Sequence, residues 1–209
     1  MVSVVPPRYN PGMISGRKKA TYADVLAAPE HMVAEVLDGE LFLFPRPSMQ
    51  HGLAATSLAG ALHNPFRLGR GGPGGWLIVI EPELHLHDDI VVPDVAGWRV
   101  ERMARMPVEP YTTVAPDWVC EVMSPSTRRI DRLRKRPLYA KHGVAHLWMI
   151  DPIDRSFESF HLYRERWQVG VDAGDDDRVR AEPFESFELE LGLLWETAAP
   201  ASADPAPPP

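Results

Sequence analysis

The chain has 209 residues, a formal net charge of −7 and a single cysteine. This length suits one domain with one sizeable core, and one cysteine excludes an internal disulfide framework and a zinc site built from several cysteines. The negative charge argues against strong non-specific binding to polyanions, because such affinity depends on phosphate neutralisation by Lys and Arg.

The sequence also lacks membrane and export signals. No apolar run reaches the roughly 18–20 residues that a membrane-spanning helix needs, and the first residues lack the apolar core of a signal peptide. We therefore expect a cytoplasmic protein that does not contact a membrane.

The first elements follow a segment rich in Pro and Gly, residues 1–20, which we expect to be a disordered lead-in. Thr21 is typical of an N-cap and predicts a short helix through Leu26 that ends near Pro29. Residues 32–45 predict a β-hairpin, because two β-prone apolar runs flank Asp38-Gly39, a dipeptide that favours a tight turn.

A second helix is predicted from Ser48, a plausible N-cap, through leucines spaced along an alanine-rich segment that ends near residue 62. The glycine-rich run 69–75 follows this helix and lacks a Lys-Ser/Thr ending, so it is interpreted as a turn and not as a phosphate-binding loop.

Two strands are predicted at 76–86 and 90–100, joined by a polar turn. Glu83, His85 and His87 alternate on one face of the first strand. They are either polar groups of a solvated edge strand or metal ligands. Pro93 interrupts the second strand, as at an edge or a bulge, and places Asp94 at that interruption.

The segment 115–152 predicts strand, loop, helix and strand. In its first strand Asp117, Val119, Glu121 and Met123 share one face, and Cys120 lies on the other face as a packed core thiol. A carboxylate such as Glu121 on an otherwise apolar strand predicts a positive partner nearby, because an unpaired buried charge is strongly disfavoured.

The following helix is capped by Ser126 or Thr127 and ends at His142-Gly143. Pro137 predicts a kink, or a true start near Arg136. From spacing alone, Lys135 pairs with Asp131, and the neighbouring arginines form a solvated face.

The remaining segments are a surface excursion at 101–111 with Met103 and Met106 packed inward, a late hairpin strand at 156–171, a solvated acidic turn at 174–177, and a last strand or short helix at 184–194. The Ala/Pro tail 198–209 is expected to be disordered. The sequence thus predicts a single domain at 21–197 of α/β or α+β class, with a mixed β-sheet flanked by helices.

Asp94, Glu121 and Lys135 together provide two carboxylates and an ammonium, the set used in metal-assisted phosphodiester hydrolysis. Carboxylate oxygens suit Mg²⁺ or Mn²⁺. The ammonium can orient the attacking water and stabilise charge on the phosphoryl oxygens.

Three segments carry a family resemblance: EVLDGELFLFPRPSMQHG, VVPDVAGW and the stretch 115–152. They resemble the Uma family of restriction-endonuclease domains, within the PD-(D/E)XK nuclease superfamily, and the likeness runs roughly from Tyr22 to Tyr163. It implies a restriction-endonuclease-like core with extra antiparallel hairpins, and endonuclease chemistry that depends on a divalent metal.

Residue by residue, the resemblance implies that Pro93-Asp94 is the PD element and that Glu121 is the acidic residue of the (D/E)XK element. Met123 stands where that element has lysine, and Lys135 resembles the lysine of a D-x-x-x-K-x-x-x-Y segment. Glu40 and His51 match two further catalytic positions. The implied metal ligands are Asp94 and Glu121.

The resemblance implies DNA as the substrate and a homodimer as the assembly. Phosphate contacts are expected from five arginines of the helix segment: Arg128, Arg129, Arg132, Arg134 and Arg136. Two other interpretations stay open: a degenerate binding or assembly module that keeps the fold, favoured by Met123 and the net charge, and a paired-carboxylate glycoside hydrolase without a lysine between the acids.

Overall fold

The structure is a computed structural model that describes residues 19–195. The predictions of a disordered lead-in and of a disordered Ala/Pro tail fall outside these residues, apart from Lys19 and Ala20. The backbone N–H of Ala20 donates to the carbonyl of Gly39 at 2.9 Å, so the chain enters the domain beside the first hairpin turn.

The predicted first helix and hairpin are confirmed. Helix α1 spans Tyr22–Leu26 with Thr21 as N-cap, and antiparallel strands β1 and β2 span Met32–Leu37 and Glu40–Pro45. Asp38 and Gly39 both have positive φ, 52° and 80°, as a tight hairpin turn requires.

The second helix is also confirmed. Helix α2 spans Met49–Leu62, and the Ser48 hydroxyl accepts a hydrogen bond from the His51 backbone N–H at 3.3 Å. This cap places His51 in the first turn, where its side chain is buried. A π-helical turn, His63–Arg67, follows and leads into the glycine-rich loop.

The strands predicted at 76–86 and 90–100 are each broken into two. The break at Pro93 confirms the predicted interruption, and the break of the first strand is a correction. The observed strands are β3 Trp76–Ile80, β4 Glu83–Leu86, β5 Asp89–Val91 and β6 Val95–Arg99. The breaks fall at Pro82 and Pro93, which have no N–H to donate to a ladder, and the Glu81 N–H bonds the Asp94 carbonyl across them at 2.9 Å. Each broken strand therefore continues in a different sheet.

The later strands complete the fold. They are β7 Tyr111–Thr112, β8 Trp118–Val122, β9 His146–Asp151, β10 Ser156–Tyr163, β11 Arg166–Gly174, β12 Arg178–Val179 and β13 Leu189–Glu190. The hairpin strand predicted at 156–171 is part of a hairpin, but it is divided into two strands: Arg164 and Glu165 adopt positive φ, 48° and 62°, and turn the chain from β10 into β11.

The strands form two mixed sheets and one small pair. The first sheet has the order β2-β1-β5-β4-β7, the second has the order β11-β10-β9-β8-β6-β3, and β12 pairs with β13. The pairs β8–β9 and β4–β7 are parallel. This mixed α+β architecture confirms the predicted fold class.

The helix after β8, here called the Lys135 helix, spans residues 128–141 in three consecutive segments: α-helix Arg128–Ile130, π-helix Asp131–Lys135 and α-helix Arg136–Lys141. The helix begins at Arg128 and not near Arg136, the alternative that Pro137 predicts. An α-helical segment does begin at Arg136, so Pro137 lies in its first turn, where its missing N–H costs little. Gly143, with φ 72°, ends the helix, as predicted.

Two apolar clusters cover the two faces of β8, as its alternation predicts. Trp118 and Cys120 lie in one cluster, and Val119 and Met123 lie in the other. Burial raises the pKa of the Cys120 thiol well above its ordinary value, as expected of a packed core thiol. Met103 is buried as predicted, whereas Met106 is 41% exposed, so its predicted inward packing is wrong.

The turn after β11 and segment 184–194 are both predicted from the sequence. The acidic turn after β11 is exposed, as predicted. Segment 184–194 contains both the β13 strand and a 3₁₀ turn, Leu191–Leu194. Across residues 19–195, no helix combines the length and the apolar character needed to cross a bilayer.

Candidate active site

Charged side chains from four elements meet where the two sheets join. Glu35 comes from β1, Asp94 from the break between β5 and β6, Glu121 from β8, and Asp131 and Lys135 from the Lys135 helix. We call these five residues the Lys135 cluster. Asp94 is in place because its strand changes sheets there, so the interruption seen in the sequence positions this carboxylate.

Lys135 is the only cation among the five. Its Nζ lies 3.0 Å from Glu35 Oε1, 3.3 Å from Glu121 Oε2 and 3.8 Å from Asp131 Oδ1, and its side chain is 7% exposed. Burial by itself lowers the pKa of Lys135, but the charges of Glu121, Glu35 and Asp131 outweigh it and raise the pKa well above its ordinary value. The ammonium therefore stays charged at neutral pH.

The carboxylates that surround Lys135 carry more negative charge than one ammonium balances. Burial raises the pKa of Glu121 well above its ordinary value and also raises that of Glu35, although Lys135 acts in the opposite direction on both. Burial likewise raises the pKa of Asp131 to about 6. Each shift disfavours the charged form, so these carboxyl groups lose a proton less readily than exposed ones do.

Hydrogen bonds fix the two acids of the predicted motif. The Tyr139 hydroxyl donates to Glu121 Oε1, and the Val122 backbone N–H donates to Asp94 Oδ2 at 2.7 Å. Asp94 Oδ1 lies 3.1 Å from His51 Nε2. Asp94 is the most open of these acids, with 17% of its side chain exposed, so it faces the route from solvent.

His51 and Asp94 form a pair. Burial lowers the pKa of His51, but the hydrogen bond and the charge of Asp94 outweigh this and raise it. The other ring nitrogen, Nδ1, is buried without a partner. The imidazole thus orients one oxygen of Asp94 and carries a proton more readily than a free histidine does.

Three buried polar atoms of this region have no hydrogen-bond partner: Glu35 Oε2, Asp131 Oδ2 and His51 Nδ1. Leaving a buried polar group unsatisfied costs about 1–3 kcal/mol, and more for a charged group. Two of the three are carboxylate oxygens, the donors that Mg²⁺ and Mn²⁺ prefer. The donor set therefore fits a hard divalent cation.

No three His, Cys, Asp or Glu side chains within residues 19–195 are already arranged around a metal position. In the Lys135 cluster the ammonium itself bridges Glu35 and Glu121. Lys135 thus supplies the positive partner that the β8 pattern predicts, and it does so from the helix, since Met123 is buried in the apolar core.

The structure brings Asp94, Glu121, Lys135 and His51 together, but it places Glu40 elsewhere. Glu40 is 53% exposed beside the hairpin turn, where its Oε2 accepts from Arg134 Nη2 at 2.7 Å. The catalytic roles of all five stay predictions.

Most of the arginines expected to contact phosphate already face carboxylates or rings. Arg128 pairs with Asp151 and Asp154, and Arg132 pairs with Glu158. Arg136 lies over the Phe160 ring, 5.2 Å from its centroid. Arg129 is exposed and makes no ion pair within the described part of the chain.

Glu35 is the member of the site that the sequence motifs do not indicate. A signal was available, because Glu35 interrupts the apolar strand MVAEVL as Glu121 interrupts β8. The Lys135–Asp131 pair expected from helical spacing does form, but it is the longest of the three contacts of Lys135. Lys135 also lies between Glu35 and Glu121. A glycoside hydrolase with paired carboxylates would not need a lysine between the two acids.

Glu83, His85 and His87, the other candidate metal ligands, have different surroundings. His85 Nε2 lies 2.7 Å from Glu83 Oε1, and the His85 ring stacks on Tyr111 at 3.8 Å between centroids. The strand β4 lies between β5 and β7, so the prediction of a solvated edge strand is wrong. His85 is held by its neighbours within the sheet.

Comparison with known proteins agrees with this fold. The model of the Uma2 family, described as "Putative restriction endonuclease", matches residues 21–193. A search of the curated proteins finds no significant match. Among solved structures, a putative nuclease belonging to DUF820 from Anabaena variabilis ATCC 29413 is 22% identical, covers 84% of this chain and 97% of its own, and superposes with a TM-score of 0.67.

Proposed function

The chain belongs to the Uma2 family, and from this premise we propose that it is an endonuclease that hydrolyses DNA phosphodiester bonds with the help of Mg²⁺ or Mn²⁺. The observation that carries the proposal is the Lys135 cluster, in which four buried or nearly buried carboxylates surround one ammonium. Such an excess of buried negative charge is costly unless a cation or substrate chemistry uses it.

Asp94 and Glu121 are the proposed metal ligands, and Glu35 is added to them because its Oε2 is buried without a partner. When bound, a divalent cation supplies charge stabilisation for a phosphoryl group and lowers the pKa of water. His51 and the Val122 N–H hold Asp94, and Tyr139 holds Glu121. These contacts fix the orientation of the ligand oxygens.

Lys135 is the proposed electrostatic residue. Its ammonium stays protonated, so it acts as a donor to a non-bridging phosphoryl oxygen or to the attacking water and not as a base. Asp131, one helical turn before it, and Glu35 limit where the ammonium can point. Charge on the phosphoryl group would then develop next to a positioned cation.

DNA is the proposed substrate, with the exposed Arg129 as the first phosphate contact. The other four arginines would exchange their carboxylate or ring partners for phosphate. We also propose a homodimer acting in the cytoplasm, in which each protomer carries one such site and acts on a single strand.

The direct test is cleavage of plasmid and of single-stranded DNA with Mg²⁺ or Mn²⁺, and with EDTA. Cutting should require the metal and fall by about 100-fold or more in Asp94→Ala. Asp88→Asn is the control, because Asp88 is a solvent-exposed acid of the turn between β4 and β5, on the same stretch of chain as Asp94. Metal-independent cutting, or full activity of Asp94→Ala, would contradict the proposal.

A second candidate function is a non-catalytic binding or assembly module. Met123 at the usual lysine position and the absence of a ready-made three-ligand group in residues 19–195 favour it. Calorimetric titration with Mn²⁺ separates the two functions. The nuclease binds the ion in a manner that Glu35→Gln and Glu121→Gln weaken, whereas the module shows no carboxylate-dependent binding.

A further inference from the structure

An aromatic row on β2 borders the candidate active site. In the β1–β2 ladder Phe42 is the direct partner of Glu35, and directly paired residues project to the same face of a sheet. Phe44, two residues further along the strand, shares that face. Because β2 is the outermost strand of its sheet, the row stands between the site and the open edge.

The two rings have different surroundings. They lie almost parallel, 7° apart, with 6.3 Å between their centroids. Phe42 packs against the buried apolar core, and the Arg134 guanidinium lies over it at 5.6 Å. Phe44 is partly exposed, and the Lys135 ammonium lies 5.8 Å from its centroid. Phe44 is thus an aromatic surface beside the ammonium that holds the site together.

The charge of the molecule makes such a surface valuable for binding nucleic acid. The net charge is −7, and Arg128, Arg132 and Arg134 are paired with carboxylates. Affinity from phosphate neutralisation is therefore limited. Stacking of a base on an aromatic ring does not depend on net charge and tolerates any sequence.

We propose that Phe44 stacks on an unpaired nucleobase next to the phosphate being cleaved, so that the substrate is single-stranded DNA. The proposal rests on the proposed nuclease function for the position of the phosphate. In a duplex the bases are stacked on one another, and exposing one to Phe44 requires unstacking and unpairing. In a single strand the base is free to lie on the ring while its phosphate reaches Lys135.

The experiment measures binding of a single-stranded oligonucleotide carrying 2-aminopurine, the same oligonucleotide as a duplex, and one with an abasic position, all with EDTA present. The wild type should bind the single strand more tightly than the duplex and quench the 2-aminopurine. Phe44→Ala should weaken single-strand binding roughly 5- to 100-fold, whereas Phe44→Tyr should retain it. Leu43→Ala is the matched control, because Leu43 is exposed on the opposite face of the same strand.

Circular dichroism first establishes that each variant is folded. A Phe44→Ala variant that binds the single strand and the duplex as the wild type does, or a wild type that does not distinguish the abasic oligonucleotide, overturns the stacking proposal. Metal-dependent cleavage is measured in parallel. If the protein cleaves DNA but Phe44→Ala leaves binding unchanged, only the stacking proposal is contradicted. If Phe44 stacks on the base but no cleavage occurs, only the nuclease function is contradicted.

Discussion

Two of the places where the Lys135 helix contacts the β1–β2 hairpin region carry different sets of charges. At the Lys135 cluster, the one ammonium faces Glu35, Glu121 and Asp131. At the end of the helix, Asp89 accepts from Lys141 Nζ at 2.8 Å, lies 2.8 Å from His142 Nε2, and accepts from the Asp38 backbone N–H at 2.7 Å.

We call Asp38, Asp89, Lys141 and His142 the Asp89 cluster. The buried Asp89 carboxylate is hydrogen-bonded by the side chains of Lys141 and His142. Burial by itself would raise the pKa of Asp89, but these hydrogen bonds outweigh burial and lower it. In the Lys135 cluster the carboxylate pKa values of Glu35, Glu121 and Asp131 are raised instead.

This difference separates an ion cluster whose charges the fold explains from one whose charges it does not. A buried acid with a lowered pKa is stabilised by the fold, and its contacts explain its presence. Buried acids with raised pKa values reduce stability at neutral pH, so the fold alone does not explain them. The comparison supports a structural role for Asp89 and agrees with the proposed nuclease role of the acids around Lys135.

The largest expected effect comes from removing the cation of each cluster. Lys135→Met leaves buried carboxylates uncompensated and should lower the free energy of unfolding by about 3–5 kcal/mol. Lys141→Met should cost less than about 1 kcal/mol, because Lys141 is 55% exposed. Urea denaturation at pH 8 measures both. Equal losses would remove the distinction between the clusters.

The second largest effect is expected when one acid of each region, Asp94 or Asp89, is replaced by its amide. Asp94→Asn should slow metal-dependent DNA cleavage about 100-fold or more, whereas Asp89→Asn should leave the cleavage rate unchanged and cost about 1–3 kcal/mol of unfolding free energy. Cleavage assays below the melting temperature of both variants measure the activity, and thermal unfolding measures the stability. A loss of activity in Asp89→Asn would show that the regions are coupled.

The two regions should respond to pH with opposite signs. Asp131 has a folded pKa of about 6, above its ordinary value of 3.8, so its charge costs stability above about pH 6 and the cost disappears as pH falls. Asp89 has a lowered pKa, so its contribution is present above the ordinary carboxyl pKa and is lost as pH falls through the folded pKa.

Unfolding free energies measured from about pH 8 to about pH 3 should therefore rise and then fall. Asp131→Asn should flatten the rise between about pH 6 and about pH 4, and Asp89→Asn should flatten the acid-side fall. Glu188→Gln, at an exposed ion pair, serves as the control. An unchanged profile in Asp131→Asn would contradict the assignment of the raised pKa to that residue.

The smallest effect is expected from Glu40, the exposed acid that pairs with Arg134 outside both clusters. Glu40→Gln should change the unfolding free energy by less than about 0.5 kcal/mol and leave cleavage within about twofold, since an exposed pair contributes little. Glu35→Gln, on the same hairpin, should abolish cleavage. A large loss of activity in Glu40→Gln would return Glu40 to the catalytic role that the family resemblance implies.

Local pattern in the sequence was enough for the hairpin, both main helices, and the alternation of β8. Each depends on neighbours a few residues apart, such as Asp38-Gly39 in the hairpin turn or Ser48 at the start of α2. The same local pattern pointed to Asp94 through Pro93, because proline interrupts the hydrogen-bond ladder of a strand. It pointed to Glu121 because an acid in an apolar strand requires a partner when it is buried.

Only the tertiary structure decided which acid of the first hairpin joins Lys135. Glu35 and Glu40 flank the same turn, yet one lies 3.0 Å from Lys135 Nζ and the other pairs with Arg134. That choice follows from the order of the strands and from where β5 gives way to β6, which bring together residues about a hundred positions apart. Contacts of that range depend on the packing of the two sheets, and no local periodicity specifies them.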